Sequence, residues 1–337
     1  VSASGASLAS GPGASLDLDF DDGQQALADA IARLCRDHCD DDAVRAAAGA
    51  FPETLWRELA ALGVLEIGAP EGEGGALELA AAMESLGRAV FPGPLVATAF
   101  AVRVLPEAER RRVAAGEGVA CVAEPPELPF APVASVFVEV DAAEGRAWLA
   151  EPDGATRAVE TLGGEPWARG ALARGVELSG AGGALAAADV ARAAYLAAAG
   201  RRLVDDAAEH ARTRRQFGRA IGDFQAVAHP LAGSVVALEG ARVLARSAAF
   251  RLDRLDAGDE AAAAWAAVAR RSATRAAVDA IHVAHQAFGA VGITLEGPAF
   301  HVSRRIRQVA SSPPSAAGAR ARVLAGFVPN LASEAHP

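Results

Sequence analysis

From Ala184 onward the sequence keeps a helical texture to Ser311, with Gly- and Pro-rich breaks that are short. Alanine, the best helix former, fills much of it. The pattern predicts a first helix ending near Arg212 and a second beginning after Asp223, a suitable N-cap, and reaching about Asp256 with Pro230 in its opening turns. A third helix follows, with Asp259 as cap and Gly289 as a left-handed stop after Phe288. Pro298 opens a fourth, which Ser311-Ser312-Pro313-Pro314 ends. Long helices joined by short connections give an antiparallel four-helix bundle over residues 184–337.

Upstream the texture changes twice. Residues 17–118 read as a helical domain: Leu27, Ile31 and Leu34 fall at helical spacing, Phe51-Pro52 and Glu53 open another helix, and a third carries Met83 to Arg88 before Phe91-Pro92-Gly93-Pro94 breaks it. Residues 119–183 read as a small β domain with short runs at 119–123 and 135–140 and weaker ones at 147–150 and 176–178. Residues 1–16 have neither a basic start nor an apolar core, so the expectation is a flexible leader and not a signal peptide. The apolar stretch 182–200 is interrupted by Asp189 and Arg192, which argues against a membrane span. A net charge of −10, with every basic side chain Arg or His, argues against a nucleic-acid surface. Three cysteines do not form a disulfide framework, and a cytoplasmic setting is expected. Cys35, His38 and Cys39 share a helix face, but a fourth metal ligand is missing nearby, so no metal site is expected.

Two motifs stand out. Arg214-Arg215-Gln216-Phe217-Gly218, continued by Ile221-Gly222-Asp223-Phe224-Gln225, crowds charge, amide and aromatic groups into a glycine-punctuated turn between long helices. Gln286-Ala287-Phe288-Gly289-Ala290-Val291-Gly292 ends the third helix. Both, and the order helical lobe, small β domain, helical bundle, resemble the acyl-CoA dehydrogenase family, over nearly all of the chain after residue 17. The resemblance implies FAD. Arg214 maps onto a pyrophosphate contact made across a subunit interface, a task suited to a guanidinium fork; Gln216, Phe217 and Gln225 lie beside it. Gln286, Gly289 and Ala290 map onto the adenosine side, Ala290 standing where the family has glycine.

Departures from the family pattern are equally informative. Cys121-Val122-Ala123-Glu124-Pro125 begins like the family's flavin-seating strand, yet Ala123 replaces a hydroxyl and Pro126-Glu127-Leu128-Pro129 replaces a small-residue loop. A Trp-Ile-Thr-like strand is missing. Desaturation beside a thioester needs a carboxylate to take the α-proton, and the family's glutamate position falls on Pro313. The alternative position falls near Ala188; Asp189 is one residue, about 100°, off that helix face. No catalytic residue is therefore assigned. His229 and His285 read as structural, and Arg304, Arg305 and Arg307 as interface, CoA-phosphate or simply solvated arginines. The resemblance is to the short, glutamate-lacking subunit of heteromeric α2β2 acyl-CoA dehydrogenases of actinobacteria. It implies FAD shared with a second acyl-CoA dehydrogenase subunit that carries the glutamate, and a bulky acyl-CoA substrate such as a sterol side-chain thioester. Two alternatives stay open: an enzyme of this fold with flavin monooxygenase or non-redox chemistry, and a cofactor-free scaffold subunit.

Overall fold

The computed structural model describes residues 18–38, 51–254, 260–295 and 297–327. Asp259, Cys39, Glu296 and the leader lie outside these. Among the described residues, the helices that come first are α1 (Asp22–His38), α2 (Glu53–Ala61), α3 (Ala76–Arg88), α4 (Leu95–Val104) and α5 (Glu107–Ala114). Strands β1 (Ala120–Ala123), β2 (Glu127–Leu128), β3 (Val136–Asp141), β4 (Arg146–Val159) and β5 (Trp167–Leu178) form one sheet in the order β1-β3-β4-β5-β2. Helices α6 (Ala181–Thr213), α7 (Gln225–Arg254), α8 (Glu260–Phe288), α9 (Pro298–Ser311) and α10 (Ala317–Phe327) complete the chain. This is the helical lobe, reduced sheet and bundle of the expected fold class.

The sheet is longer than its sequence signals. β1 runs parallel to β3, and the rest pair antiparallel. The weak runs at 147–150 and 176–178 are parts of a fourteen- and a twelve-residue strand. Pro152, Asp153 and Gly154 sit within β4: Pro152 and Asp153 pair with Leu172 and Ala171, and the register shifts between Asp153 and Arg157. Cross-strand pairing has overridden local propensity here.

Helix α6 lies at the centre, packed against α3 and α4 on one side and α7, α8 and α9 on the others. It is buried along most of its length, and small residues let its neighbours approach closely. At Gly87 of α3, an added Cβ would lie 2.3 Å from the Tyr195 carbonyl oxygen of α6. At Gly200, one would lie 2.6 Å from Leu238 of α7 and 3.2 Å from the Ala277 backbone of α8. Asp223 is not the cap of α7: it ends a short 3₁₀ turn, and the helix begins at Gln225.

Charges buried beside α6 fix the segment after α9. Asp189, 1% exposed, accepts from Arg270 at 2.9 Å and from Arg322 at 2.5 Å. Arg270 also donates to the carbonyls of Pro314 (2.8 Å) and Ser315 (3.1 Å). Fully buried Arg192 donates to the carbonyls of Val309, Ser312, Pro313 and Pro314 at 2.5–3.3 Å. Glu124, at the end of β1, accepts from the Ser315 backbone N–H at 2.6 Å and from its hydroxyl at 3.1 Å. Burial holds the Arg192 guanidinium well below its ordinary range, and neighbouring Arg270 pushes it the same way. Asp189→Ala would leave two inward-facing guanidiniums without their carboxylate. We expect it to lower stability by about 3–5 kcal/mol in chemical denaturation, the usual result of breaking a buried pair.

Candidate functional site

The Arg214 motif forms a β-hairpin standing off the end of the bundle. Arg214 closes α6, its N–H donating to the His210 carbonyl at 2.9 Å. β6 (Arg215–Gln216) then pairs with β7 (Arg219–Ala220) across the turn Phe217-Gly218. Both turn residues have positive φ, +52° and +84°, as a two-residue hairpin of the right twist requires. Gly218 adopts this readily, whereas for Phe217 the conformation is strained. The Arg214 side chain is exposed and makes no hydrogen bond to the described residues.

The hairpin's aromatic content is preset. Phe217 is 91% exposed and touches Phe224 edge-on, ring centroids 6.1 Å apart. The Arg219 guanidinium covers the Phe224 ring at 4.0 Å. Gln216 folds back, its side-chain amide donating to the Arg215 carbonyl at 2.7 Å. Gln225 opens α7 and is exposed.

Folding brings the second motif to the same end of the bundle. His210, one turn before Arg214, packs its ring against Phe288 with centroids 5.0 Å apart. Gln286 lies in the last turn of α8, Gly289 provides the positive φ of +62°, and Ala290 continues into the 3₁₀ turn Gly289–Ile293. Gln286, Gly289 and Ala290 are all exposed, as are Val291, Ile293 and Leu295 beyond them. Residues roughly 70 apart in sequence thus share one surface, with arginine, amides and bare backbone available to an anionic ligand.

The places considered for a base lie elsewhere. Pro313 borders the cleft between the N-terminal helices, the sheet and the bundle. Asp189, off the expected helix face in sequence, is a buried ion-pair partner, both its oxygens accepting from arginines. His229 is exposed on α7; His285 faces the Ser303 hydroxyl at 2.8 Å. The cleft holds a cavity of about 40 Å³ bounded by Gly93, Pro94, Phe130, Trp167, Tyr195 and Pro313. That is room for water, not for an acyl chain.

Sequence reading missed a buried pair in this cleft. Glu165, 6% exposed, lies against the Arg305 guanidinium. Arg305 also donates to the Tyr195 hydroxyl (3.1 Å) and the Gly93 carbonyl (2.9 Å). Burial pushes the Arg305 guanidinium down to about 9, which still leaves it charged at neutral pH. Arg305 is therefore not one of a solvated row. The only signal in sequence was a lone acid in a Gly-Gly-Glu-Pro-Trp loop, too common a pattern to single out. Among the described residues no group of His, Cys, Asp and Glu could hold a metal ion.

Residues 21–106 and 174–314 match the families described as "Acyl-CoA dehydrogenase, N-terminal domain" and "Acyl-CoA dehydrogenase, C-terminal domain". The chain is 30% identical over 294 residues to "Acyl-CoA dehydrogenase IpdE2" of Mycobacterium tuberculosis, covering 81% of this chain and 87% of that one. Among solved structures, the ChsE4-ChsE5 complex from Mycobacterium tuberculosis matches with a TM-score of 0.76 at 24% identity, over 96% of this chain and 100% of that one. The "Tcur3481-Tcur3483 steroid ACAD G363A variant" matches with a TM-score of 0.78 at 22% identity, over 92% and 99%.

Two histidines give this end of the bundle a pH dependence. Burial, then Arg214, holds His210 below the ordinary imidazole range; burial, then Arg307 and His282, does the same for His285. Both are neutral in the folded protein under conditions where the unfolded chain binds a proton. Their contribution is therefore present above pH ~6.5 and is lost as pH falls through the lower folded values. The melting temperature is expected to drop on acidification below pH ~6.5, and His210→Asn with His285→Asn to flatten that part of the profile.

Proposed function

The chain belongs to the acyl-CoA dehydrogenase family, and we propose that it serves as the half-site subunit of a heteromeric, FAD-dependent acyl-CoA dehydrogenase. One contrast carries this reading. The Arg214–Gly218 hairpin is preformed, exposed and unused by the described residues, while the chain's own cleft is filled and has Pro313 where the family's base is expected. Arg214, Gln216, Phe217 and Gln225 would meet the FAD held by a partner, with Gln286, Gly289 and Ala290 on its adenosine side. The partner would supply the flavin seat and the glutamate.

The donor set suits such a ligand. The exposed Arg214 fork can take a diphosphate through charged hydrogen bonds, and Phe217 offers a flat apolar face. A bound FAD would supply a hydride acceptor for the acyl β-carbon. This chain's residues would hold and orient it, and the α-proton would pass to the partner's glutamate. Exposed Phe217, Val236, Val243, Val291, Ile293 and Leu295 give the partner apolar surface to cover.

Bulky, sterol-derived acyl-CoA is the proposed substrate class, supported by the steroid enzyme among the structural neighbours. A cytoplasmic setting is proposed with it; no helix among the described residues is long and apolar enough to cross a membrane. The test is co-expression with the acyl-CoA dehydrogenase encoded beside it, followed by measurement of FAD per heterodimer. One FAD per pair is expected. Arg214→Ala in this chain should weaken FAD retention about 10- to 100-fold, the loss of a charged hydrogen-bond donor. Stable flavin on this chain alone would sink the reading, and a complex without flavin would favour a cofactor-free scaffold.

A further inference from the structure

The connection between β4 and β5 crosses the cleft and is tied to α9 at three places. The Leu162 carbonyl accepts from Arg304 Nε. The Gly163 N–H donates to Gln308 Oε1 at 3.2 Å. Glu165 pairs with Arg305 beneath them. Residues 304, 305 and 308 fall on one side of a helix, since 1 and 4 steps are about 100° and 40° of rotation. The strap is also shaped internally: Gly164, at φ +82°, donates to the Thr161 carbonyl at 3.3 Å, and the Thr161 hydroxyl donates to the Glu165 carbonyl at 3.1 Å.

The Glu165–Arg305 pair is the inner tie, and its surroundings are specific. Arg305 reaches Tyr195 Oη and the Gly93 carbonyl, and Tyr195 donates in turn to the Phe91 carbonyl at 3.0 Å. One guanidinium thus joins the central helix α6, the 91–94 turn of the N-terminal lobe, α9 and the strap. Both Glu165 oxygens lack any hydrogen-bonding partner other than this ion-pair contact, so withdrawing Arg305 would strand a buried carboxylate, and the reverse holds for Arg305. Trp167 and Phe130 pack beside them and leave the cavity of about 40 Å³.

We infer that residues 161–166 form a strap that the Glu165–Arg305 ion pair locks over this chain's own cleft, keeping it shut to acyl-CoA. The inference deepens the half-site reading and rests on it for the identity of the cleft. The strap's protection, however, depends on neither flavin nor partner.

Hydrogen–deuterium exchange on the full chain and on the complex reads the lock. In the native protein the peptide spanning 160–168 should exchange at least about tenfold more slowly than the hairpin peptide 213–220, corresponding to about 1.4 kcal/mol of extra local stability. Glu165→Gln should speed exchange across 160–168 by about tenfold or more while leaving β1 and β3 unchanged. Octanoyl-CoA at millimolar concentration should leave native protection as it is. Should Glu165→Gln not fold, Gln308→Ala, which removes only the Gly163 tie, must raise exchange in the same peptide. Fast exchange in the native strap, no response to either substitution, or a change on adding octanoyl-CoA would overturn the lock. A mobile strap in a complex that still holds FAD defeats the lock alone; a protected strap in a complex without flavin defeats the half-site reading alone.

Discussion

A helix enclosed on nearly every side has little freedom in sequence, and α6 sets the terms for the rest of the molecule. Neighbours can approach it only where side chains are small, hence the alanines along its length and the glycines at 87 and 200, where a methyl group would strike backbone or a packed leucine. Charges on such a helix must be answered locally, because an unpaired ion in a low-dielectric interior costs several kcal/mol. Asp189 is answered by Arg270 and Arg322, and Arg192 by four carbonyls, one in the last turn of α9 and three in the segment after it. The consequence reaches the cleft. The segment carrying Pro313, where the family's base is expected, is held by buried arginines and by Glu124 from the sheet, and it is thereby committed to a structural task.

How much of this could be read in the sequence differs by element. The bundle helices and their stops were legible because periodicity, Pro298 and Gly289 are local signals, and all three occur where expected. The sheet was less so. Strands β4 and β5 owe their length to each other, and residues such as Pro152 and Gly154 carry no mark of a partner strand. The hairpin was visible as Arg214 to Gly218, but its geometry, with Phe217 itself in the left-handed region, was not. Neither Asp189 as a doubly paired ion nor Glu165 as the tie to Arg305 was readable, since their partners lie 81, 133 and 140 residues away. Long-range charge pairing leaves no periodic trace.

The two ends of the chain's design point in opposite directions, and the difference is energetic. At the hairpin, Phe217 adopts a conformation that costs a bulky residue on the order of 1–3 kcal/mol, yet it is 91% exposed and gains little from its own chain. Strain held at an exposed position is maintained by its surroundings, here the Phe224 edge contact, the Arg219 stack and the β6–β7 pairing. Nothing within the described chain uses the aromatic face so presented. At the cleft the reverse is true: Glu165, Arg305, Tyr195, Phe130 and Trp167 fill the interior and leave space for little more than water. A subunit with an independent active site would be expected to keep its cleft open. The observed distribution, with an aromatic face turned outward and the interior filled, is the contrast on which the proposed half-site role rests.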